Sequence, residues 1–226
     1  MAFAKQTFLR FEHPCGTLNS SQWRQRLKEP FARAGIDPDQ IAIYQSSTAL
    51  NVVSRTPQAS QMLADGAIDV MRLVADAAEK MLSVTMKDLT PAATSTGYRW
   101  LYEVPRWVVA HKGDWSCWSN PELAQPQLEA MKLRLERDLS AQLQAWLADQ
   151  PPLNLCIETP GRPMFLRDAI HNGPKPSPAM ARLDVRFSSS KRLEGALFVG
   201  ALQSLGYGRI YRDGYLETDA KDAKDE

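Results

Sequence analysis

The alternation of hydrophobic and polar positions in the first ninety residues predicts a strand, a helix, two strands, a helix and a strand. Residues 6–12 (QTFLRFE) alternate in part, which is typical of a strand. Trp23, Leu27 and Phe31 recur every four residues, which places them on one face of a helix over about 20–34. The pattern then predicts strands over 40–45 and 48–54, a helix from Pro57 to about residue 82, and a strand over 83–89.

The second half repeats this order more loosely. A strand-like stretch covers residues 98–111 with an interruption at Pro105, and Asn120 with Pro121 opens a helix that runs to about residue 149. The later elements are strands over 152–158 and 181–187, a helix over 188–206 and a final strand over 207–215.

The order β-α-β-β-α-β therefore appears twice, and it predicts an α+β protein with two tandem ferredoxin-like (RRM-like) domains. We expect the first domain over residues 1–90. The second, over 98–215, is more irregular and contains a glycine-rich loop. Residues 216–226 hold five acids and two lysines, and we expect them to form an acidic disordered tail.

Composition and charge narrow the class of protein. The 226 residues are 44% hydrophobic and 23% charged, which excludes a fibrous or wholly disordered chain. No apolar run approaches the ~18–20 residues needed to span a bilayer, and three scattered cysteines and three scattered histidines show no metal-ligand spacing. We therefore expect a cytoplasmic protein without metal, cofactor or membrane contact. Residues 160–212 contain nine basic residues and three acids. This basic block either meets a polyanion or forms a solvated basic face.

Four glycines interrupt the apolar segment near the carboxyl end, at positions 195, 200, 206 and 208. Glycine inside a helix is less favourable than alanine by about 0.5–1 kcal/mol, so these positions need a reason such as close backbone approach. Gly206 and Gly208 permit a turn whose N–H groups face a phosphate, with Arg209 and Arg212 supplying charge. The alternative is a helix cap at Gly206 and tight packing at the other glycines.

This segment resembles the glycine-rich loop of the RAMP superfamily of CRISPR-associated RNA-binding proteins. The matching positions are Gly195, Phe198, Val199, Gly200, Leu202, Leu205, Gly206, Tyr207, Gly208, Arg209 and Ile210. The superfamily includes repeat-processing endoribonucleases with two ferredoxin-like domains, and the chain is most similar to the small processing nuclease of type IV systems.

The resemblance implies a function, a substrate and partners. Such an enzyme binds the CRISPR repeat hairpin, cleaves pre-crRNA without metal or cofactor, and stays with the crRNA among other effector-complex subunits. Two alternatives remain open. One is a non-catalytic scaffold subunit of the same superfamily that grips the crRNA handle, and the other is a ferredoxin-like protein unrelated to RNA.

The chemistry implied by the resemblance is attack of a 2′-hydroxyl on the neighbouring phosphate, which leaves a 2′,3′-cyclic phosphate. It calls for a base, an acid and cations that stabilise the phosphorane. Related enzymes often take the base from a histidine near the first helix, and the nearest candidate here is His13. We expect Arg24 and Arg209 at the scissile phosphate. Either His13 is the catalytic base, or His13 is a loop residue without a role and the site is built from arginines alone.

Aromatic and basic side chains provide candidate contacts to RNA, since exposed rings stack on bases and cations meet phosphates. Trp115 and Trp118 flank a loop and either stack on bases or pack internally, whereas Trp100 and Trp107 lie in a strand and are expected in the core. The predicted RNA-binding residues are Arg26, Arg33, Trp115, Trp118, Arg162, Arg167, Lys175, Lys191, Arg192, Gly206, Gly208 and Arg212.

Overall fold

The computed structural model describes residues 5–12, 19–46, 48–78, 83–110, 124–147, 152–159, 164–166 and 180–216. Within these ranges the chain forms nine strands and four helices. In these ranges there is no helix long and apolar enough to cross a membrane. The expected acidic tail beyond Leu216 lies outside the described residues.

The first half forms a four-stranded antiparallel sheet. Its strands are β1 (Gln6–Glu12), β2 (Ile41–Gln45), β3 (Ala49–Ser54) and β4 (Ser83–Leu89), in the order β2-β3-β1-β4. Strand β1 pairs on one side with β3 and on the other with β4, as a ferredoxin-like sheet requires. The strands agree with those predicted from the pattern to within one residue.

Three helices cover one face of this sheet. Helix α1 (Ser20–Arg33) is capped by Asn19, which forms a reciprocal capping box with Gln22. The expected second helix is divided by Gly66 into α2 (Pro57–Asp65) and α3 (Ala67–Ala78). Apolar side chains of these helices pack on Leu9, Ile43 and Val52 and their neighbours in the strands. The first half is therefore a β-α-β-β-α-β unit with a broken second helix.

The second sheet has the same order of strands. It consists of β5 (Ala92–Ala110), β6 (Leu155–Thr159), β7 (Met164–Leu166), β8 (Met180–Glu194) and β9 (Tyr211–Leu216). The order is β6-β8-β5-β9, with β7 paired to β8, and the chain is α+β with two ferredoxin-like sheets. Strand β5 begins six residues before its expected start, because residues 92–95 pair with the end of β8. Helix α4 (Ala124–Gln144) covers this sheet with Leu135, Leu139 and Leu143.

The prediction of a helix over residues 188–206 is wrong. Strand β8 continues to Glu194, and residues 195–210 form an irregular segment that we call the glycine-rich loop. Its only regular turn is the 3₁₀ turn Gln203–Leu205. The glycines prevent a helix here, since Gly195, Gly200, Gly206 and Gly208 all have φ between +69° and +89°.

The loop fills the space between the two sheets. Its first limb is extended, so Ala196 and Phe198 face the first sheet while Leu197 and Val199 join the core of the second. A short apolar run buried on both sides is indistinguishable from a helix by periodicity alone. Strands β1 to β3 are consequently buried on both faces, and Phe8, Tyr44 and Val53 meet the loop while their neighbours meet the helices.

A buried glutamine joins the first strand to the loop. The Gln6 amide donates to the carbonyls of Ser54 at 2.8 Å and Ala196 at 3.0 Å, and its oxygen accepts the Ala196 N–H at 2.7 Å. Gln6 is fully buried. Its side chain therefore satisfies backbone groups that have no access to water.

We expect Gln6→Leu to lower the free energy of unfolding by about 2 kcal/mol, because it leaves buried backbone groups without partners. Gln61→Leu is the matched control, since Gln61 is exposed on α2 and bonds Asp65 within its own helix. Its effect is expected to stay within about 0.5 kcal/mol. Urea unfolding of both variants measures the difference, and equal destabilisation would contradict the role given to Gln6.

Candidate functional site

A cleft of about 400 Å³ lies between the start of α1 and the glycine-rich loop. One wall is the first turn of the helix, and the other is formed by Arg106 of β5 and Leu205 and Tyr207 of the loop. The helix residues on the first wall are Asn19, Ser20, Ser21 and Gln22. The cleft therefore joins both halves of the chain at the loop in which the sequence motif was found.

Arg106 is held in an unusual backbone conformation at this cleft. Its φ is +61°, and the pairing of β5 with β8 shifts register around it, between Val104 and Trp107. Its N–H donates to the Asp184 carboxylate at 2.7 Å, and its carbonyl accepts the Gly208 N–H at 3.0 Å. Hydrogen bonds on both sides of Arg106 thus hold its backbone in the left-handed region, which residues other than glycine rarely adopt.

The exposed side chain of Arg106 lies over the ring of Tyr207, with 5.5 Å between the guanidinium carbon and the ring centroid. Its five N–H donors match phosphate geometry. The start of α1 adds the positive end of the helix dipole and the first-turn N–H groups other than that of Gln22, which donates to the Asn19 side chain. There is no acidic residue in that first turn. This arrangement can hold an anion such as a phosphate.

Arg106 was missed by the sequence analysis, although a signal was present. Pro105 interrupts an otherwise apolar strand, and proline inside a sheet is found at edges and bulges. A bulge redirects the next side chain, which here is an arginine.

Gly206 and Gly208 were expected to point N–H groups at a phosphate, and the structure corrects this. The Gly206 N–H donates to the Gln203 carbonyl at 2.8 Å and the Gly208 N–H donates to Arg106. Both glycines are buried, and a Cβ at Gly206 would collide with the Tyr44 side chain. Packing and a turn cap explain these glycines, which was the alternative interpretation.

Arg24 lies in a network that ends on the glycine-rich loop. It forms an ion pair with Asp39 and donates to the Pro38 carbonyl at 2.8 Å. Arg55 continues the network by donating to the Asp39 carbonyl at 2.9 Å and to Gln203 at 2.5 Å. Burial lowers the pKa of Arg55, and the nearby Arg24 charge lowers it further. The network places Arg24 close to the loop but already paired with a carboxylate.

Arg209 is packed among aromatic rings. Its guanidinium carbon lies 4.9 Å from the ring centroids of Tyr44 and Tyr211 and 6.0 Å from that of Phe8. Burial lowers the pKa of Arg209, and its interaction with Tyr211 partly offsets this. Arg209 thus joins the loop to the first sheet. Arg24, in contrast, contacts Pro38 and Asp39.

Three of the predicted RNA-binding residues lie together near Trp100. The guanidinium carbons of Arg192 and Arg212 are 5.4 and 5.5 Å from the centroid of this ring. Lys191 donates to Ser95 at 2.6 Å on the adjacent part of β5. Trp107 is fully buried as expected, whereas Trp100 is only half-buried at the rim of the core.

Other predicted residues lie elsewhere or outside the described residues. Arg26 donates to the Ala77 carbonyl of α3, and Arg33 is in the last turn of α1, about 20 Å along the helix from the cleft. The residues outside the described ranges are His13, Trp115, Trp118, Arg162, Arg167 and Lys175.

No protein-family model matches the chain, and no curated protein matches it. A solved structure described as Csf5, a CRISPR-Cas type IV Cas6 crRNA endonuclease, is similar with a TM-score of 0.66 at 19% identity. The match covers 92% of this chain and 99% of that chain.

Two further solved structures are similar over 92% of this chain and all of their own length. One is Cas6b, with a TM-score of 0.65 at 12% identity. The other is described as the CRISPR RNA processing endoribonuclease Cas6b, with a TM-score of 0.55 at 14% identity. Two of these three structures are described as CRISPR RNA endonucleases, and the chain has the fold that all three share.

Proposed function

We propose that the chain is a metal-independent endoribonuclease that binds a CRISPR repeat hairpin and cleaves pre-crRNA. The observation that supports this most directly is the cleft at the start of α1, where a fixed arginine faces a helix end that attracts anions. The crRNA endonucleases named above share the fold, and the cleft gives the fold a place for a phosphate.

In the proposed reaction the 2′-oxygen forms a bond to phosphorus while the bond from phosphorus to the 5′-oxygen breaks. A base takes the 2′-proton, and an acid gives a proton to the leaving oxygen. The products are a 2′,3′-cyclic phosphate and a 5′-hydroxyl. Arg106 and the start of α1 stabilise the charge on the phosphorane, since arginine remains protonated at neutral pH.

The proposal assigns a role to each of the three predicted catalytic residues. His13 is the proposed base, because it belongs to the segment that connects Glu12 to Asn19 and so leads into the helix end at the cleft. Arg24 adds charge when RNA replaces Asp39 as its partner. Arg209 keeps the loop against the first sheet.

The test is incubation of the purified protein with labelled CRISPR repeat hairpins, including those of the source genome, in the presence of EDTA. We expect cleavage at one position, with a 2′,3′-cyclic phosphate on the upstream product. Acid treatment opens the cyclic phosphate and shifts the mobility of that product, which identifies it. Cleavage that stops in EDTA and returns with Mg²⁺ would contradict metal independence.

The scaffold alternative predicts a different result. It gives hairpin binding that weakens steeply with salt and no cleavage under any condition. Absence of binding at low salt would leave a ferredoxin-like protein unrelated to RNA. Retention of the cleaved product, seen as a single turnover, is the result expected if the chain stays with crRNA and other effector-complex subunits.

Two further parts of the proposal concern organisation and hairpin binding. We propose the division into domains 1–90 and 98–215, with the glycine-rich loop belonging to the second. We also propose that basic residues outside the cleft hold the hairpin through phosphate contacts. Such contacts position RNA without reading its sequence.

A further inference from the structure

Three aromatic rings form a cluster on the second sheet, which we call the aromatic platform. Tyr98 and Trp100 belong to β5, and Tyr215 of β9 lies directly opposite Trp100 in the pairing register. The Tyr98 and Tyr215 centroids are 5.3 Å apart, and Trp100 and Tyr215 are 5.7 Å apart. Tyr98 is 47% exposed and Tyr215 is 56% exposed. These exposures are high for a cluster of large rings.

Among the described residues, one helix, α4, packs on the second sheet, whereas three helices pack on the first. In the first sheet, α2 and α3 complete the cover provided by α1. In the second sheet the glycine-rich loop takes the place of the corresponding helix, with Leu197 and Val199 in the core of that sheet and Ala196 and Phe198 against the first. Within the part of the chain that the structure describes, most of β9 is exposed.

Cations accompany the rings. Arg192 and Arg212 both stack on Trp100, and they also line a groove of about 540 Å³ that passes beside the platform. The acids in that groove have partners, because Glu194 pairs with Arg192 at 3.0 Å and Asp88 with Lys5 at 3.6 Å. Two guanidinium groups are thus held in place beside a groove by an aromatic ring.

We propose that the aromatic platform binds unpaired nucleotides that flank the repeat hairpin, an inference that rests on the proposed function. Exposed rings stack on bases of any sequence, while neighbouring arginines meet the phosphates between them. Tyr98 and Tyr215 present the rings, Arg212 presents charge, and Arg192 adds charge when a phosphate replaces Glu194 as its partner. Trp100 lies six residues from Arg106 along β5, about 20 Å away, so the platform is separate from the cleft.

The experiment compares three fluorescein-labelled RNAs by anisotropy. They are the hairpin alone, the hairpin with a single-stranded extension, and a single-stranded oligouridine of about ten nucleotides. In the double variant Tyr98→Ala with Tyr215→Ala, the affinity for the extended hairpin is expected to fall about tenfold or more. The affinity for the hairpin alone is expected to stay the same, and cleavage of the hairpin alone is expected to continue.

Two controls separate stacking from folding. Tyr98→Phe with Tyr215→Phe keeps both rings and is expected to bind the extended RNA like the unchanged protein. Leu133→Ala removes a 57% exposed apolar side chain from α4 and is expected to leave the affinity for each of the three RNAs unchanged. Thermal unfolding of each variant shows that the sheet is intact.

Equal affinity of the double alanine variant and the unchanged protein for the extended RNA would overturn the proposal. An equal loss for the hairpin alone would also overturn it, since the rings would then contact the hairpin. Failure of the proposed function looks different. The unchanged protein would then bind the oligouridine through these rings but neither bind nor cleave the hairpin.

Discussion

Replacing Gly208 by alanine is expected to lower the free energy of unfolding by about 4 kcal/mol. Its φ of +69° is left-handed, which costs an L-residue roughly 1–2 kcal/mol. A Cβ would also fall on the Val199 carbonyl oxygen, well inside the 3.0 Å at which real Cβ contacts end. Relief requires movement of the backbone, and such overpacking costs about 1–3 kcal/mol. Urea unfolding measures the sum.

The chain offers a matched control for this substitution. Gly97 has a φ of +75°, but nothing lies within 4 Å of the position of its Cβ. Gly97→Ala therefore has the backbone cost alone and is expected to lose about 1 kcal/mol. If both variants lost the same stability, close packing would not be the reason for glycine at position 208. We also expect Gly208→Ala to lose RNA cleavage, because Gly208 holds the carbonyl of Arg106.

Removing the guanidinium of Arg106 is expected to slow cleavage of the repeat hairpin about 100-fold, the usual effect of losing one donor to a developing charge. Its backbone bonds to Asp184 and Gly208 do not depend on the side chain. Arg106→Ala should therefore unfold at nearly the same temperature as the unchanged protein. Single-turnover cleavage with excess protein measures the chemical step, and filter binding measures the affinity for the hairpin.

Further variants show whether the charge or the backbone is responsible. Arg106→Gly removes the same side chain while it accepts a φ of +61° without strain, so the same loss of rate is expected. Arg106→Lys keeps the charge without the fork of donors and is expected to be intermediate. Arg72→Ala, on the exposed surface of α3, is the control and is expected to leave the rate unchanged. Cleavage by Arg106→Ala at the unchanged rate would exclude Arg106 from the site.

The elements that could be predicted from the sequence are those with a clear period. Helix α1 was predicted from the spacing of Trp23, Leu27 and Phe31, and all three are buried on one face. Strand β8 was predicted from Leu183, Val185 and Phe187, which are buried, while Arg182, Asp184 and Arg186 lie on the other side. An element with one solvent-exposed face and one buried face has polar and apolar residues at regular intervals, and these intervals are visible in the sequence.

The glycine-rich loop was mispredicted as a helix because both of its sides are apolar. Ala196 to Val199 meet two different cores, so no polar positions mark the alternation. The same segment nevertheless indicated the fold correctly through its glycines and its resemblance to a known loop. The prediction that the N–H groups of its glycines face a phosphate was wrong, since these groups are bonded within the chain. Arg209, which was expected to supply charge there, is held by aromatic rings.

The site depends on contacts that no local pattern contains. Arg106 reaches the cleft through a bulge, and the partners of its backbone are 78 residues away at Asp184 and further still at Gly208. Arg192 and Arg212 were recognised by charge, but Trp100, the ring on which both lie, was expected in the core. Composition could identify the cations, and only the fold shows which of them lie together.

The bond between Gln6 and Ala196 spans 190 residues, and this has a consequence for synthesis on the ribosome. The first sheet can complete its own strand pairing once β4 has emerged, but Phe8, Tyr44 and Val53 have no cover until the loop is made. The nascent chain therefore displays an apolar sheet face until Ala196 and Phe198 have been synthesised. Such exposure favours aggregation, so chaperone binding during this interval has a defined target.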